Sequence, residues 1–213
     1  MIDPFIEKLV GDLKPKKPLA NRMLWMHCTG CLVMIAALIL GLIGLRGDYI
    51  NAMQTGAMFW KPSIFFFIWF GSILMITDLS RPGSSIKKQH IIPVLLGFLI
   101  LLWQITSQIS EYSFQAMIQS LNAKSAITCI LIILVGGAMV MGMTWKFWLS
   151  KTASDRPMFL GFLAGLSSST LVATAYALHC DKDSVLYIFV YYIFSILTLS
   201  LVGSILGKKF LQW

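Results

Sequence analysis

Six stretches of this chain stay apolar over roughly 17–25 residues, the length an α-helix needs to cross about 30 Å of hydrocarbon. They run approximately over 24–45, 62–79, 91–107, 126–145, 158–178 and 185–206. The third is short, and the fifth is rich in Ser, Thr and Gly. Strands do not suit such segments, because an unpaired strand leaves its backbone unsatisfied in lipid and no alternating ten-residue pattern recurs. Composition closes the other routes: 57% of residues are hydrophobic and 12% charged, with a mean hydropathy of +0.78. A water-soluble domain carries about 25% charged residues, and disordered chains are marked by low hydrophobicity. Four Cys in 213 residues are too few for a disulfide scaffold. The expected fold is an all-α integral membrane protein, a six-helix transmembrane bundle spanning 23–213, preceded by an arm over 1–22.

The basic residues set the orientation. Lys8, Lys14, Lys16, Lys17 and Arg22 precede the first span. Arg81, Lys87 and Lys88 lie in the second connection, Lys146, Lys151 and Arg156 in the fourth, and Lys208 and Lys209 at the end. The other side receives Arg46, Lys61, Lys124 and Lys182. This asymmetry satisfies the positive-inside rule with an even number of spans and places both termini in the cytoplasm. The first apolar stretch follows about 20 largely polar residues, is long enough to span and lacks a small-x-small cleavage site, so it is expected to stay as an anchor.

The apolar core offers little chemistry. Transporters usually keep ionisable residues within the hydrocarbon, and the centres of the six stretches hold none. Asp78 and His27 sit near the cytoplasmic ends of the second and first spans, and Gln104 is the main strongly polar side chain of the third; interfacial solvation or an interhelical hydrogen bond accounts for all three. In the fifth span Gly161, Gly165, Ser167, Ser168, Ser169, Thr170 and Thr174 could line a pathway, but small residues at such spacing more often let helices approach closely. No nucleophile elbow, phosphate-cradling loop or His-Glu-x-x-His pair is present, and no cofactor motif can be read. An enzyme is not expected.

Two positive signals remain. In the arm, Ile2, Phe5, Ile6, Leu9, Val10 and Leu13 recur at helical spacing with Asp3, Glu7, Lys8 and Asp12 between them, and Pro15 ends the pattern. Such a short cytoplasmic amphipathic helix either lies on the membrane surface or offers its apolar face to a partner's groove. The second signal is Cys129 and Cys180, both assigned to the extracytoplasmic face, where disulfides persist. With His179, Asp181 and Asp183 alongside, the two thiols could pair, could hold a soft thiophilic metal, or could be unconnected small hydrophobes. Cys28 and Cys31 form a Cys-x-x-Cys without a redox fold around it, and are expected to be reduced packing thiols.

The arm motif Asp12-Leu13-Lys14-Pro15-Lys16-Lys17-Pro18-Leu19 resembles the entry of the NrsF-type membrane anti-sigma factors, the negative regulators of sigma F. The likeness continues at Cys180-Asp181-Lys182-Asp183-Ser184 and in the ending Gly207-Lys208-Lys209-Phe210-Leu211-Gln212-Trp213, and so covers essentially the whole chain. It implies a bacterial inner-membrane protein that sequesters an extracytoplasmic-function sigma factor and releases it under heavy-metal or oxidative stress. The family's two functional cysteines match Cys129 and Cys180, which become the expected sensing pair and transient metal ligands, with His179 and Asp183 as auxiliaries. The sigma-binding face is expected at Phe5, Ile6, Leu9, Val10 and Leu13, with no direct contact to nucleic acid. The chain departs from the family where an aromatic often precedes the first Cys (here Ala126-Ile127-Thr128) and where a His often stands in the last span (here Tyr191 and Tyr192). Two other classes stay in view: a six-span transporter or metal exporter, which would need a charged span centre, and a membrane thiol oxidoreductase, which would need a quinone or partner site.

Overall fold

The computed structural model describes residues 21–111, 114–119, 121 and 126–211. The expected arm helix, with Phe5, Ile6, Leu9, Val10 and Leu13, lies outside the described residues. Those that are described form helices and connections, with no strand among them. The helices are α1 (Asn21–Leu42), α2 (Tyr49–Gln54), α3 (Ala57–Leu79), α4 (Lys88–Glu111), α5 (Phe114–Gln119), α6 (Ala126–Phe147), α7 (Pro157–Ala177) and α8 (Val185–Phe210). Helices α1, α3, α4, α6, α7 and α8 are each long and apolar enough to cross a membrane.

Helix α7 is the centre of the bundle, packed against α1, α3, α6 and α8, while α4 leans on α3. Small residues make this possible. Gly161 and Gly165 of α7 face Gly203 and Gly207 of α8 so closely that a Cβ at Gly161 would lie 2.2 Å from the Gly203 carbonyl oxygen. Each helix therefore contributes a Gly-x-x-x-Gly pair to one seam, the arrangement that lets backbones approach where lipid supplies no hydrophobic drive. The neighbouring hydroxyls serve their own helix: Ser169 donates to the Gly165 carbonyl at 2.7 Å, Thr170 to Leu166 at 2.6 Å and Thr174 to Thr170 at 2.8 Å. The Ser, Thr and Gly content of the fifth stretch thus serves packing.

Helix α3 begins five residues earlier than the sequence suggests. Pro62 stands inside α3. Proline cannot donate the backbone bond that an interior residue owes, and the helix carries on around it. Gly56 precedes α3 with φ of 72°, a left-handed conformation that glycine adopts without strain. The consequence is that Lys61, expected in a connection, is a helical residue with no exposed surface. Helix α8 contains one π-turn, Ile188–Ile193, between α-helical segments.

Candidate functional site

At one end of the bundle the 178–184 connection between α7 and α8 is held by side chains from three other parts of the chain. Lys61 of α3 donates to the Cys180 carbonyl at 3.0 Å, the Lys182 carbonyl at 2.7 Å and Asp183 Oδ1 at 3.3 Å. Arg46, in the α1–α2 connection, meets Asp183 with both terminal nitrogens, at 3.2 and 2.6 Å. The same guanidinium binds Asp48 through Nε at 2.7 Å and Nη2 at 2.8 Å. From α4, Gln108 donates to the Asp183 carbonyl at 2.8 Å and accepts from the Val185 backbone N–H at 2.8 Å. His179 Nδ1 sits 2.7 Å from the Gly44 carbonyl oxygen. Charge-assisted, bidentate contacts of this kind are the strong members of their class.

The electrostatics of this clasp are lopsided. The Arg46 and Lys61 side chains are wholly buried, whereas Asp48 and Asp183 remain 40% and 27% exposed. Hydrogen bonding to Asp48, opposed by burial and aided by Asp183, raises the Arg46 pKa above its usual value. The same hydrogen bond from Arg46 holds the Asp48 carboxyl below the ordinary aspartate range.

Directly inside the clasp lie the two cysteines that the sequence singles out. Cys129, in the first turn of α6, and Cys180, just past α7, are both buried and belong to one core cluster with Tyr176, Tyr187 and Tyr192. Among the described residues the buried Tyr192 hydroxyl has no hydrogen-bond partner. Lys61 Nζ stands 5.6 Å from the centre of the Tyr192 ring, and Phe65 stacks on that ring with centroids 5.0 Å apart. All four cysteines are free thiols. Among the described residues no three His, Cys, Asp or Glu side chains are grouped to hold a metal. Asp183 and His179, the expected auxiliaries, are engaged by Arg46 and Lys61 and by Gly44 respectively.

The opposite end of the bundle is organised around Asp78, which pairs with His90 Nδ1 at 2.6 Å and accepts the Lys87 backbone N–H at 3.1 Å. This is the interhelical bond that the sequence allows for Asp78, formed between α3 and α4. Nearby the Gly83 N–H donates to Asp155, and Trp148 Nε1 donates to Ser80 Oγ at 3.3 Å. Gln104 is buried in α4. Cys28 and Cys31 are buried in the second core cluster with Leu24 and Trp69, and the Cys31 sulfur lies 3.7 Å from His27 Nε2. That placement suits packing thiols.

Sequence reasoning identified Cys129, Cys180, His179 and Asp183 but missed Lys61, Arg46, Gln108 and the tyrosines. A lysine directly beside an apolar stretch was a usable signal for Lys61, since a charge buried in an apolar interior needs a partner.

Residues 9–213 match the family described as negative regulator of sigma F. The chain is 30% identical to the anti-sigma-F factor NrsF of Caulobacter vibrioides (strain NA1000 / CB15N) over 214 aligned positions, covering 99% of each protein. No solved structure matches it.

Proposed function

The chain belongs to the negative regulator of sigma F family, and from that membership we propose that it is an inner-membrane anti-sigma factor. It holds an extracytoplasmic-function sigma factor at the cytoplasmic face and releases it when thiols at the opposite face are modified by heavy metals or oxidants. The observation that carries this reading is the end-to-end likeness to an anti-sigma-F factor, which leaves no part of either protein unmatched beyond about one residue in a hundred. Membrane insertion is supported by the outward faces of the helices, where Val33, Leu42, Trp103, Met139 and Ile205 are all exposed, as lipid-facing residues are. Orientation is supported by the gathering of Arg81, Lys87, Lys88, Lys146, Lys151, Arg156, Lys208 and Lys209 near the Asp78 end. Trp145 of α6 and Phe210 of α8, 6.5 Å apart, bring those helix ends together.

The partner binds the arm over residues 2–13 through its apolar stripe, and lipid and sigma factor are the protein's two partners. The thiol pair Cys129/Cys180 is the sensor. The reading makes the protein a regulatory binding protein rather than a catalyst, with no direct contact to nucleic acid. The test is co-purification of the tagged chain from mild detergent with the organism's extracytoplasmic-function sigma factors. Wild type is expected to bring one of them down. The variant carrying Phe5→Glu, Leu9→Glu and Leu13→Glu is expected to lose it, since buried apolar anchors of such interfaces contribute about 2 kcal/mol or more each. Retention at wild-type affinity by the triple variant removes the arm from the binding site, and the absence of any sigma factor in the wild-type sample refutes the function.

A further inference from the structure

Where α1 enters the bundle, an apolar cavity of about 140 Å³ lies between it and the end of α6, lined by Met23, Leu24, His27, Phe147 and Trp148. Leu24 and Trp148 are its buried floor, whereas Met23 and Phe147 stay 48% and 41% exposed on its rim. The floor is fixed in place: Trp148 Nε1 donates to Ser80 Oγ at 3.3 Å, and Leu24 packs in the core cluster that holds Trp69 and Leu160. On the wall the His27 ring leans on Phe147, with centroids 5.6 Å apart. An apolar cavity of about this volume is large enough to take a benzene ring. Neither sensing by the thiols nor the packing of the six long helices calls for it.

The arm outside the described residues has the length and the chemistry to fill it. Twenty residues precede Asn21, and the cavity begins two residues further on, at Met23. Residues 14–20 span at most about 23 Å when extended, and the helical pattern over 2–13 carries Phe5 back about 12 Å from Leu13. Phe5 therefore comes within reach of a cavity that lies less than two helical turns from the tether. It is also the only aromatic side chain in residues 1–20. Charge fits as well. Asp3 and Glu7 flank Phe5 in sequence, while exposed Arg22 and Lys146 adjoin Met23 and Phe147, and exposed Lys151 follows Trp148 by three positions. We propose that, without a sigma factor, the arm docks on the bundle with Phe5 in this cavity and with Asp3 and Glu7 against its basic rim. Bundle and sigma factor then compete for one apolar face. For its regulatory meaning this rests on the arm being the sigma-binding element, as proposed above; the docking itself is measurable without any sigma factor. Competition sets the apparent affinity, because an arm docked nine-tenths of the time binds its partner about tenfold more weakly than a free one.

The test places the photo-crosslinker p-benzoylphenylalanine at position 5 of the full-length chain, reconstituted alone in vesicles of phosphatidylethanolamine and phosphatidylglycerol. Irradiation and peptide mass spectrometry are expected to join residue 5 to the segments holding Met23, His27 or Phe147 of the same chain. The same probe at position 8, where Lys8 lies off the apolar stripe, is expected to miss them. Crosslinks from position 5 that go only to lipid, to a second copy or to other segments overturn the proposal. A second measurement uses the rim, whose exposed side chains can be changed without disturbing the floor. Phe147→Asp and Met23→Asp each set a negative charge against Asp3 and Glu7. Each is expected to lose most of the crosslink and to bind the sigma factor about tenfold more tightly than the wild-type chain. An undiminished crosslink in both variants refutes the docking site, and an unchanged sigma affinity beside a lost crosslink refutes the competition. Failure of the wild-type chain to bind any sigma factor is a separate result: it removes the function proposed above and leaves the docking to be decided by the crosslinks.

Discussion

Replacing Gly161 by Ala is a test of how the bundle is held together. The added Cβ would meet the Gly203 carbonyl oxygen at 2.2 Å, the Gly207 Cα at 2.8 Å and the Gly203 carbonyl carbon at 3.0 Å. All three are backbone atoms, so no side chain can rotate away, and α7 and α8 must separate by about 1 Å to restore ordinary contact distances. A gap of that size forfeits about a quarter to a half of the dispersion well for each atom pair along the seam. Overpacking of a tight core costs about 1–3 kcal/mol, and a clash confined to backbone belongs at the upper part, about 2–3 kcal/mol. Alanine's better helix propensity, up to about 1 kcal/mol over glycine, offsets part of this. Gly142→Ala gains the same propensity with nothing within 4 Å of the new methyl group, and is therefore the control. For a chain of this size each 1 kcal/mol shifts Tm by about 2–4 °C. Gly161→Ala should thus melt roughly 5–10 °C below Gly142→Ala when monodisperse protein in detergent is followed by size exclusion after heating. A difference under about 2 °C would show that the seam yields, and that close backbone contact is not what joins α7 to α8.

Two further outcomes follow from the thiol end. Cys129→Ser and Cys180→Ser should each abolish induction of the sigma regulon by thiophilic metals while co-purification of the sigma factor persists, whereas Cys28→Ser with Cys31→Ser should respond nearly normally; induction in either single variant at the wild-type level refutes the sensor assignment. Because Arg46 holds the Asp48 carboxyl below its usual range, this pair contributes stability that is present above the unfolded-state value near pH 4 and is lost as pH falls through the lower folded-state value. A melting profile from pH 7 to pH 3 should accordingly show a smaller acid loss for Asp48→Asn than for wild type, and equal acid losses would mean that the Arg46–Asp48 contact does not form in the bundle.

The six apolar helices were legible because hydrocarbon length imposes a pattern on contiguous residues, and small residues in the fifth stretch pointed to close packing. The end of the bundle was legible only in part. Cys129 and Cys180 stand out by residue type and by their places beside spans, but what surrounds them comes from pairings across great sequence distance. Lys61 is 119 positions from Cys180, and Arg46 is 137 from Asp183. No periodicity links such positions. The apolar stretch reads from residue 62, one position after Lys61, so the lysine falls outside the helix that in fact contains it. Gln104, the conspicuous polar residue of α4, is buried, yet Gln108 one turn further on holds the connection. The choice between them depends on where α4 ends relative to its neighbours, a matter of tertiary height rather than of local sequence.

The π-turn of α8 divides that helix into two parts with separate angular phase. In an unbroken α-helix, residues five apart point about 140° away from each other, so Tyr187 and Tyr192 would not share a side. The wider turn, with its i→i+5 bonding, brings both rings into the cluster that holds Cys129. Below it, Gly203 and Gly207 keep the regular spacing needed to face Gly161 and Gly165. The spare residue thus works like a vernier between two scales, letting one helix fit a bulky aromatic site at one end and a bare backbone seam at the other. A one-residue insertion or deletion within 188–193 falls where the helix already absorbs an extra residue. The same change between 194 and 202 has no such reserve and rotates the glycines about 100° off their seam.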